Sequence, residues 1–336
     1  MWTHLVRRLQ PVFVVLGLVF IAFLLRSQWE ELQSHPWQLN LAWLAGSALF
    51  LLLAWAVEIA LWRHLLFLLG GRLPYAPAVR IWFLSAIVRY IPGNIWQPLS
   101  MTLLCQRRGI SPEATLTSVV LYQVLIILAV APLAAIYFWF TGNWGLFTDL
   151  LSQATPWLIA AGLLPVVVFL VRPGWLIDMI NCGLHRLHRP ALASGLSRGQ
   201  LVWVLIMAMA DWLLWGVSFA TLAFALNIYS PAEMWALAPH LVAAYPVAYA
   251  IGFISFITPS GLGVREGAFY VLLAPLLGGG AVTAIALAMR IWTTAGELIA
   301  AGASMLLHRQ AAALAVPAAD APVELADAGE LHKRLT

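Results

Sequence analysis

Hydrophobic positions come in long unbroken runs rather than in alternating or amphipathic stripes. Apolar segments lie roughly over 11–25, 41–69, 77–105, 115–140, 154–171, 200–226, 234–277 and 281–307. About 20 apolar residues carry an α-helix across the hydrocarbon core, and closed barrels and helices alone satisfy their backbone there. The pattern therefore predicts an all-α integral membrane protein. Arg7 and Arg8 precede the first run, but Arg26-Ser-Gln-Trp-Glu-Glu follows it with no small-residue cleavage site. That run is expected to be a retained span rather than a removed signal.

Two of the runs are interrupted by turn chemistry. Arg89-Tyr-Ile-Pro-Gly-Asn-Ile-Trp96 breaks the third, and Thr258-Pro-Ser-Gly-Leu-Gly-Val-Arg-Glu-Gly267 breaks the seventh. Proline removes a helix donor and clashes with the preceding turn, while glycine admits left-handed backbone. Pro92, Gly93, Pro259, Gly261 and Gly263 are thus expected to build turns between short helices. Pro92 and Pro259 stand 167 residues apart (259 − 92), and the same offset carries Ala114 onto Ala281 and Gln123 onto Arg290. It also sets the run at 41–66 beside 200–226 and the run at 115–140 beside 281–307. The chain then divides into halves of about 10–140 and 154–308, each a helix, a helix, a broken pair and a helix.

Charge orients the halves. Arg7/Arg8, Arg72/Arg80, Arg107/Arg108, the stretch from Arg172 to Arg198, and Arg309 alternate along the chain with Glu30, Glu31, Asp149 and Glu233. Basic short loops stay in the cytoplasm. With each broken pair re-entering on its own side, each half crosses three times and the second half is inverted. The expected architecture is about six full spans plus two re-entrant pairs in an inverted repeat, with both termini cytoplasmic. Eight full spans is the alternative, because Met234 to Ile257 is long enough to cross. Residues 1–308 form one transmembrane domain, 172–199 an interfacial cytoplasmic segment, and 309–336 a mobile cytoplasmic tail.

Composition agrees: 62% of residues are hydrophobic and 10% charged, where a soluble domain carries about a quarter charged. Trp29, Trp37, Trp144, Trp157 and Trp235 fall near predicted span ends, the headgroup level that tryptophan favours. Cys105 and Cys182 read as incidental thiols. The eight histidines form no ligand set, and there is no phosphate-binding loop, dinucleotide fingerprint or nucleophile elbow. No metal, cofactor or nucleic acid is expected, and no catalytic signature points to an enzyme.

Function is therefore sought in the ionisable groups at membrane depth, where a charge is expensive and faces an interior or a watery cavity. These are Glu58, Arg89, Asp211, Arg265, Glu266, Arg290 and Glu297. After each break a short helix starts with its N-terminus in the membrane, beside Arg89 or Arg265. Unpaired N–H groups and the positive dipole end suit an anion, and a phosphate is the anion a bilayer offers. Bland roles stand beside these: Arg89 and Arg265 capping turn carbonyls, Glu266 capping its own helix, Glu58 pairing with Arg63 or His64, Asp211 hydrogen-bonding a neighbouring helix. Arg290 and Glu297, two helical turns apart, are expected to share a polar seam rather than pair with each other.

Pro259-Ser-Gly-Leu-Gly-Val-Arg-Glu-Gly267 resembles the signature of the flippase-like membrane domain of lysylphosphatidylglycerol synthases. Arg89-Tyr-Ile-Pro-Gly-Asn-Ile-Trp96 resembles that family's earlier Pro-Gly motif, and Arg290…Glu297 its last-helix Arg-to-Glu pattern. The resemblance covers about residues 10–308 and implies a role in moving lipids between leaflets. It marks Arg89, Arg265, Glu266, Arg290 and Glu297 as the polar set. Asn94 and Ile95 depart from the glycine of many members, and Gln123 stands where many carry an acid. The resulting expectation is a transporter of an anionic, phosphate-bearing lipid or lipid-linked intermediate in a bacterial inner membrane, with a phospholipid or polyprenyl phosphate as partner. The alternative is a membrane subunit or enzyme of glycosyl- or aminoacyl-lipid transfer, working with a lipid-modifying partner.

Overall fold

A computed structural model describes residues 19, 22–23, 26–34, 38–90, 95–141, 155–186, 197–226, 229–254 and 261–314. Pro92, Gly93 and Pro259, and with them the centres of both breaks, lie outside the described residues, as do Trp37, Trp144, most of the first apolar run and the tail from 315. The helices are α1 (Trp29–Ser34), α2 (Leu41–Leu68), α3 (Tyr75–Ile87), α4 (Trp96–Gln106), α5 (Pro112–Leu128) and α6 (Val130–Thr141) in the first half. They continue as α7 (Thr155–Val171), α8 (Trp175–Arg186), α9 (Arg198–Ala225), α10 (Pro231–Ile254), α11 (Val264–Leu277) and α12 (Gly279–Leu314). A 3-10 turn, Val88–Tyr90, carries the end of α3 toward the first break. No strand occurs among the described residues.

Local chemistry accounts for the boundaries. Asn40 caps α2 by accepting from Ala42 N and Trp43 N. Ser111 caps α5, whose first residue is Pro112, and Ser197 with Gln200 forms a reciprocal capping box at α9. Pro132 leaves the Leu128 carbonyl without its helical donor, and the chain parts there into α5 and α6.

Among the described residues, five segments are long and apolar enough to cross a membrane: Leu41–Leu68, Pro112–Phe140, Arg198–Ala225, Pro231–Ile254 and Gly279–Leu306. The broken pairs are unequal. The limbs α3 and α4 have 13 and 11 residues, short of the ~20 a crossing takes, whereas α10 has 24. The first limb of the second break thus has the length of a span, as the eight-span alternative supposed for that segment.

The helices α2 and α9, the long helices that precede the broken pair in each half, pack most extensively on each other. Their contacts run in opposite order: Asn40 N donates to Ala225 O, and Trp43 meets Phe224 edge-on. Further along, Ser47 meets Ser218, Trp55 meets Trp215, and His64 meets Trp203. The pair is antiparallel along its length, the relation that an inverted repeat requires. Toward the Asn40 end Ser47 Oγ donates to Ser218 O at 2.8 Å and Ser218 Oγ to Ser47 O at 2.9 Å. Two buried indoles are satisfied across helices in the same way, Trp62 Nε1 by Ser118 Oγ at 3.1 Å and Trp212 Nε1 by Ile126 O at 2.7 Å.

Small residues set the spacing, because lipid tails compete with apolar side chains and close backbone contact is what remains to favour association. A Cβ on Gly216 of α9 would stand 2.5 Å from the Val242 carbonyl oxygen of α10. Pro246 has left that carbonyl without a helical donor, so α9 comes closest where α10 is perturbed. One on Gly296 of α12 would meet Trp55 at 2.7 Å.

Trp157 and Trp235 are exposed on the helix bundle, as expected of headgroup-level residues. The helix α8 buries Ile177 and exposes Met179, and its Arg172–Asp178 contact at 3.9 Å is an exposed pair of little weight.

The two kinds of inter-helix contact are expected to differ in cost. Ser47→Ala removes one membrane hydrogen bond, about 0.6 kcal/mol, and should barely shift thermal unfolding in detergent. Gly216→Leu forces α9 off α10 and should abolish the cooperative transition. Equal melting of the two variants would show that the close approach does not hold the fold.

Candidate functional site

A cavity of about 330 Å3 lies between the two broken pairs. It takes side chains from both halves: Glu58 from α2, Arg89 from the 3-10 turn, Gln97 from α4, Tyr122 and Gln123 from α5, Asp211 from α9, Tyr249 from α10, Arg265 from α11, and Arg290 and Glu297 from α12. Six of the seven ionisable residues singled out in the sequence line it, and the seventh, Glu266, holds one of them from behind. Gln123 and Arg290, equivalent under the offset, both face it.

The second break is built for close approach. Gly261 has φ +67° and Gly263 φ +80°, conformations that residues with a Cβ rarely adopt. A Cβ on Gly261 would stand 3.1 Å from Gly252 Cα, and one on Gly252 would stand 3.1 Å from Arg265 Cβ. The two glycines press the end of α10 against the start of α11, which brings Arg265 to the cavity.

Glu266 does two jobs at once. Its Oε2 accepts from Gly263 N at 2.8 Å, reaching back to cap α11, and its Oε1 accepts from Arg290 Nη1 at 2.5 Å. The capping role weighed in the sequence is present, and with it a charge pair whose carboxylate is 3% exposed. Two turns further along α12, Glu297 Oε1 accepts from Arg89 Nη1 at 3.0 Å. Arg290 and Glu297 therefore share one seam without pairing with each other. Each reaches a different break: Arg290 the second, Glu297 the first.

Glu58 does not pair with its sequence neighbours. Arg63 donates to Leu73 O at 3.4 Å and lies over the Tyr75 ring, and His64 packs on Trp203. Glu58 turns into the cavity, where Tyr122 Oη donates to its Oε1 at 2.6 Å. Asp211 is 1% exposed, and its Oδ1 has no hydrogen-bond partner among the described residues. Neither carboxylate forms an ion pair among the described residues.

Tyr122, Tyr245 and Tyr249 escaped the sequence reading. Trp215 stacks on Tyr245 with centroids 5.5 Å apart, and Trp212 meets Tyr249 edge-on at 4.9 Å. Aromatic residues are common in membrane helices, so their identity was no signal. Their spacing was one: Trp212 and Trp215 are three apart and Tyr245 and Tyr249 four, which places each pair on one helix face.

Removing one partner of a deeply buried ion pair costs about 3–5 kcal/mol, because a charge is left uncompensated. Glu266→Ala should therefore lower the thermal unfolding temperature far more than Glu297→Ala, whose partner Arg89 is 27% exposed. The reverse order in thermal unfolding would show that the Glu266–Arg290 pair is not the stronger tie.

The sequence matches the family described as the lysylphosphatidylglycerol synthase TM region over residues 11–301. No curated protein and no solved structure matches it. The family match includes both breaks, α12 through Ala301 and every ionisable residue of the cavity. This multi-pass membrane protein belongs to the lysylphosphatidylglycerol synthase transmembrane family.

Proposed function

We propose that the protein moves an anionic, phosphate-bearing lipid or lipid-linked intermediate between the leaflets of a bacterial inner membrane, both of its termini lying in the cytoplasm. The observation that carries this reading is a cavity inside an apolar helix bundle that three guanidinium groups line, Arg89, Arg265 and Arg290. Arginine binds phosphate oxygens through planar, multidentate hydrogen bonds. A volume near 330 Å3 is at the lower end for a small-molecule site, so it suits a headgroup whose acyl or prenyl tails stay among the lipids. The Trp and Tyr rings along one wall give a sugar or glycerol face an apolar surface to lie on.

Arg89 and Arg290 are held by Glu297 and Glu266, which pre-positions them without long side chains having to be ordered at binding. Arg265 follows the two close-packed glycines and is the residue we assign as the principal phosphate ligand. A bare charge at the bilayer centre costs about 3 kcal/mol or more, so losing its counter-charge should slow crossing about a hundredfold.

Leaflet exchange of labelled phospholipids and polyprenyl phosphates in proteoliposomes tests the reading. Wild type should move a phosphate-bearing headgroup, and Arg265→Ala should lose about a hundredfold in rate while keeping its melting temperature. Normal exchange in a stably folded Arg265→Ala protein would remove that assignment. Absence of exchange for every lipid tried, with lipid modified when a partner enzyme is added, would favour the lipid-modification reading instead.

A further inference from the structure

The charges around the cavity do not balance for an anionic substrate. Arg89, Arg265 and Arg290 face the lining carboxylates Glu58, Asp211 and Glu297, and Glu266 stands behind Arg290 as a fourth carboxylate. With all seven groups ionised, three positive charges meet four negative ones. The segments outside the described residues at the two breaks, 91–94 and 255–260, contain no ionisable residue that could change this balance. A phosphodiester entering such a site would raise the excess to two negative charges in a medium of low dielectric, where each uncompensated charge is costly.

Two of the four carboxylates are fixed by cations: Glu297 holds Arg89 and Glu266 holds Arg290. The other two are not. Glu58 accepts a hydrogen bond from Tyr122, and Asp211, 1% exposed, keeps an oxygen with no hydrogen-bond partner among the described residues. That oxygen is where a carboxylic proton can sit without displacing anything. Glu58 and Asp211 lie within electrostatic reach of each other. Glu58 is faced in addition by Arg89 from the first break, Glu297 from α12, and Tyr245 and Tyr249 from α10. Among the described residues no three His, Cys, Asp or Glu side chains converge as metal ligands.

We infer that Glu58 and Asp211, with Tyr122 between α2 and α9, form a proton-binding site that is filled when an anionic headgroup enters the cavity. Each step takes one proton onto a carboxylate to give a carboxylic acid, with no other bond made or broken. With both filled, three guanidinium groups face two carboxylates, and the single positive excess matches one phosphodiester. Release of the lipid in the opposite leaflet returns the protons, so transport of the anion is linked to proton movement. Glu266 and Glu297 are tied up in ion pairs and keep the cavity's shape.

This inference rests on the transport reading, and the test separates the two. Full-length protein in weakly buffered detergent is mixed with short-chain phosphatidylglycerol, and proton uptake is followed with a pH-indicating dye alongside lipid binding. Wild type should take up one to two protons per lipid bound, and its affinity should rise toward acid pH by up to about tenfold per pH unit for each proton. Glu58→Gln combined with Asp211→Asn should abolish the uptake and the pH dependence, whatever affinity remains. Infrared difference spectra of the wild type should show a protonated-carboxyl stretch on binding, a readout that does not depend on how the variant folds. Lipid binding or leaflet exchange with no proton uptake would overturn the inference and leave the transport reading standing. No binding and no exchange of any phosphate-bearing lipid would overturn the transport reading, and this inference with it.

Discussion

The structure depends on one helix carrying two opposite charges two turns apart. Arg290 of α12 is held by Glu266 at the start of α11, and Glu297 of α12 is held by Arg89 at the first break. Buried charges in a membrane bundle cost least when paired, so each break is drawn to α12 by the cost of leaving its partner alone. The distance between the breaks is then set by seven residues of helix, roughly 10 Å at 1.5 Å per residue. The cavity is the space that this spacing leaves.

The rest of the bundle makes that arrangement affordable. Hydrophobic burial does little to hold helices together in lipid, so packing and hydrogen bonds across small residues carry the load. The reciprocal Ser47–Ser218 bonds sit where α2 and α9 cross in opposite directions, and Gly216 admits the displaced carbonyl of α10. At the second break Gly252 and Gly261 bring two chain segments to within a Cβ's width, and Arg265 is delivered to the cavity as a consequence. Glycine is needed at Gly261 and Gly263 for backbone sign and at Gly252 for space.

Much of this was legible in the sequence because lipid is an unforgiving solvent. A charge deep inside an apolar run stands out, and the seven residues singled out there belong to the cavity or its frame. The 167-residue offset brought Gln123 to Arg290 before any contact was known, and both face the same space. What stayed hidden was direction. Glu58 had Arg63 and His64 within reach along the chain, and only the crossing of α2 with α5 turns it toward Tyr122 instead. The double duty of Glu266 was half visible: the capping position can be read from spacing, but the pairing with Arg290 needs the α11–α12 packing. The unequal breaks were likewise hidden, since α3 and α10 share a motif at their ends but not a length.

The central claim, that α12 ties both breaks around a lipid-translocating cavity, is tested most directly by exchanging the charges of the cavity-facing pair. Headgroup translocation in proteoliposomes would be compared for wild type, Arg89→Glu, Glu297→Arg and the doubly exchanged protein. The account predicts that each single variant loses translocation, two like charges being forced together, and that the exchanged protein recovers a substantial part of it. Translocation that survives either single variant, or an exchanged protein no better than the worse single one, would contradict it.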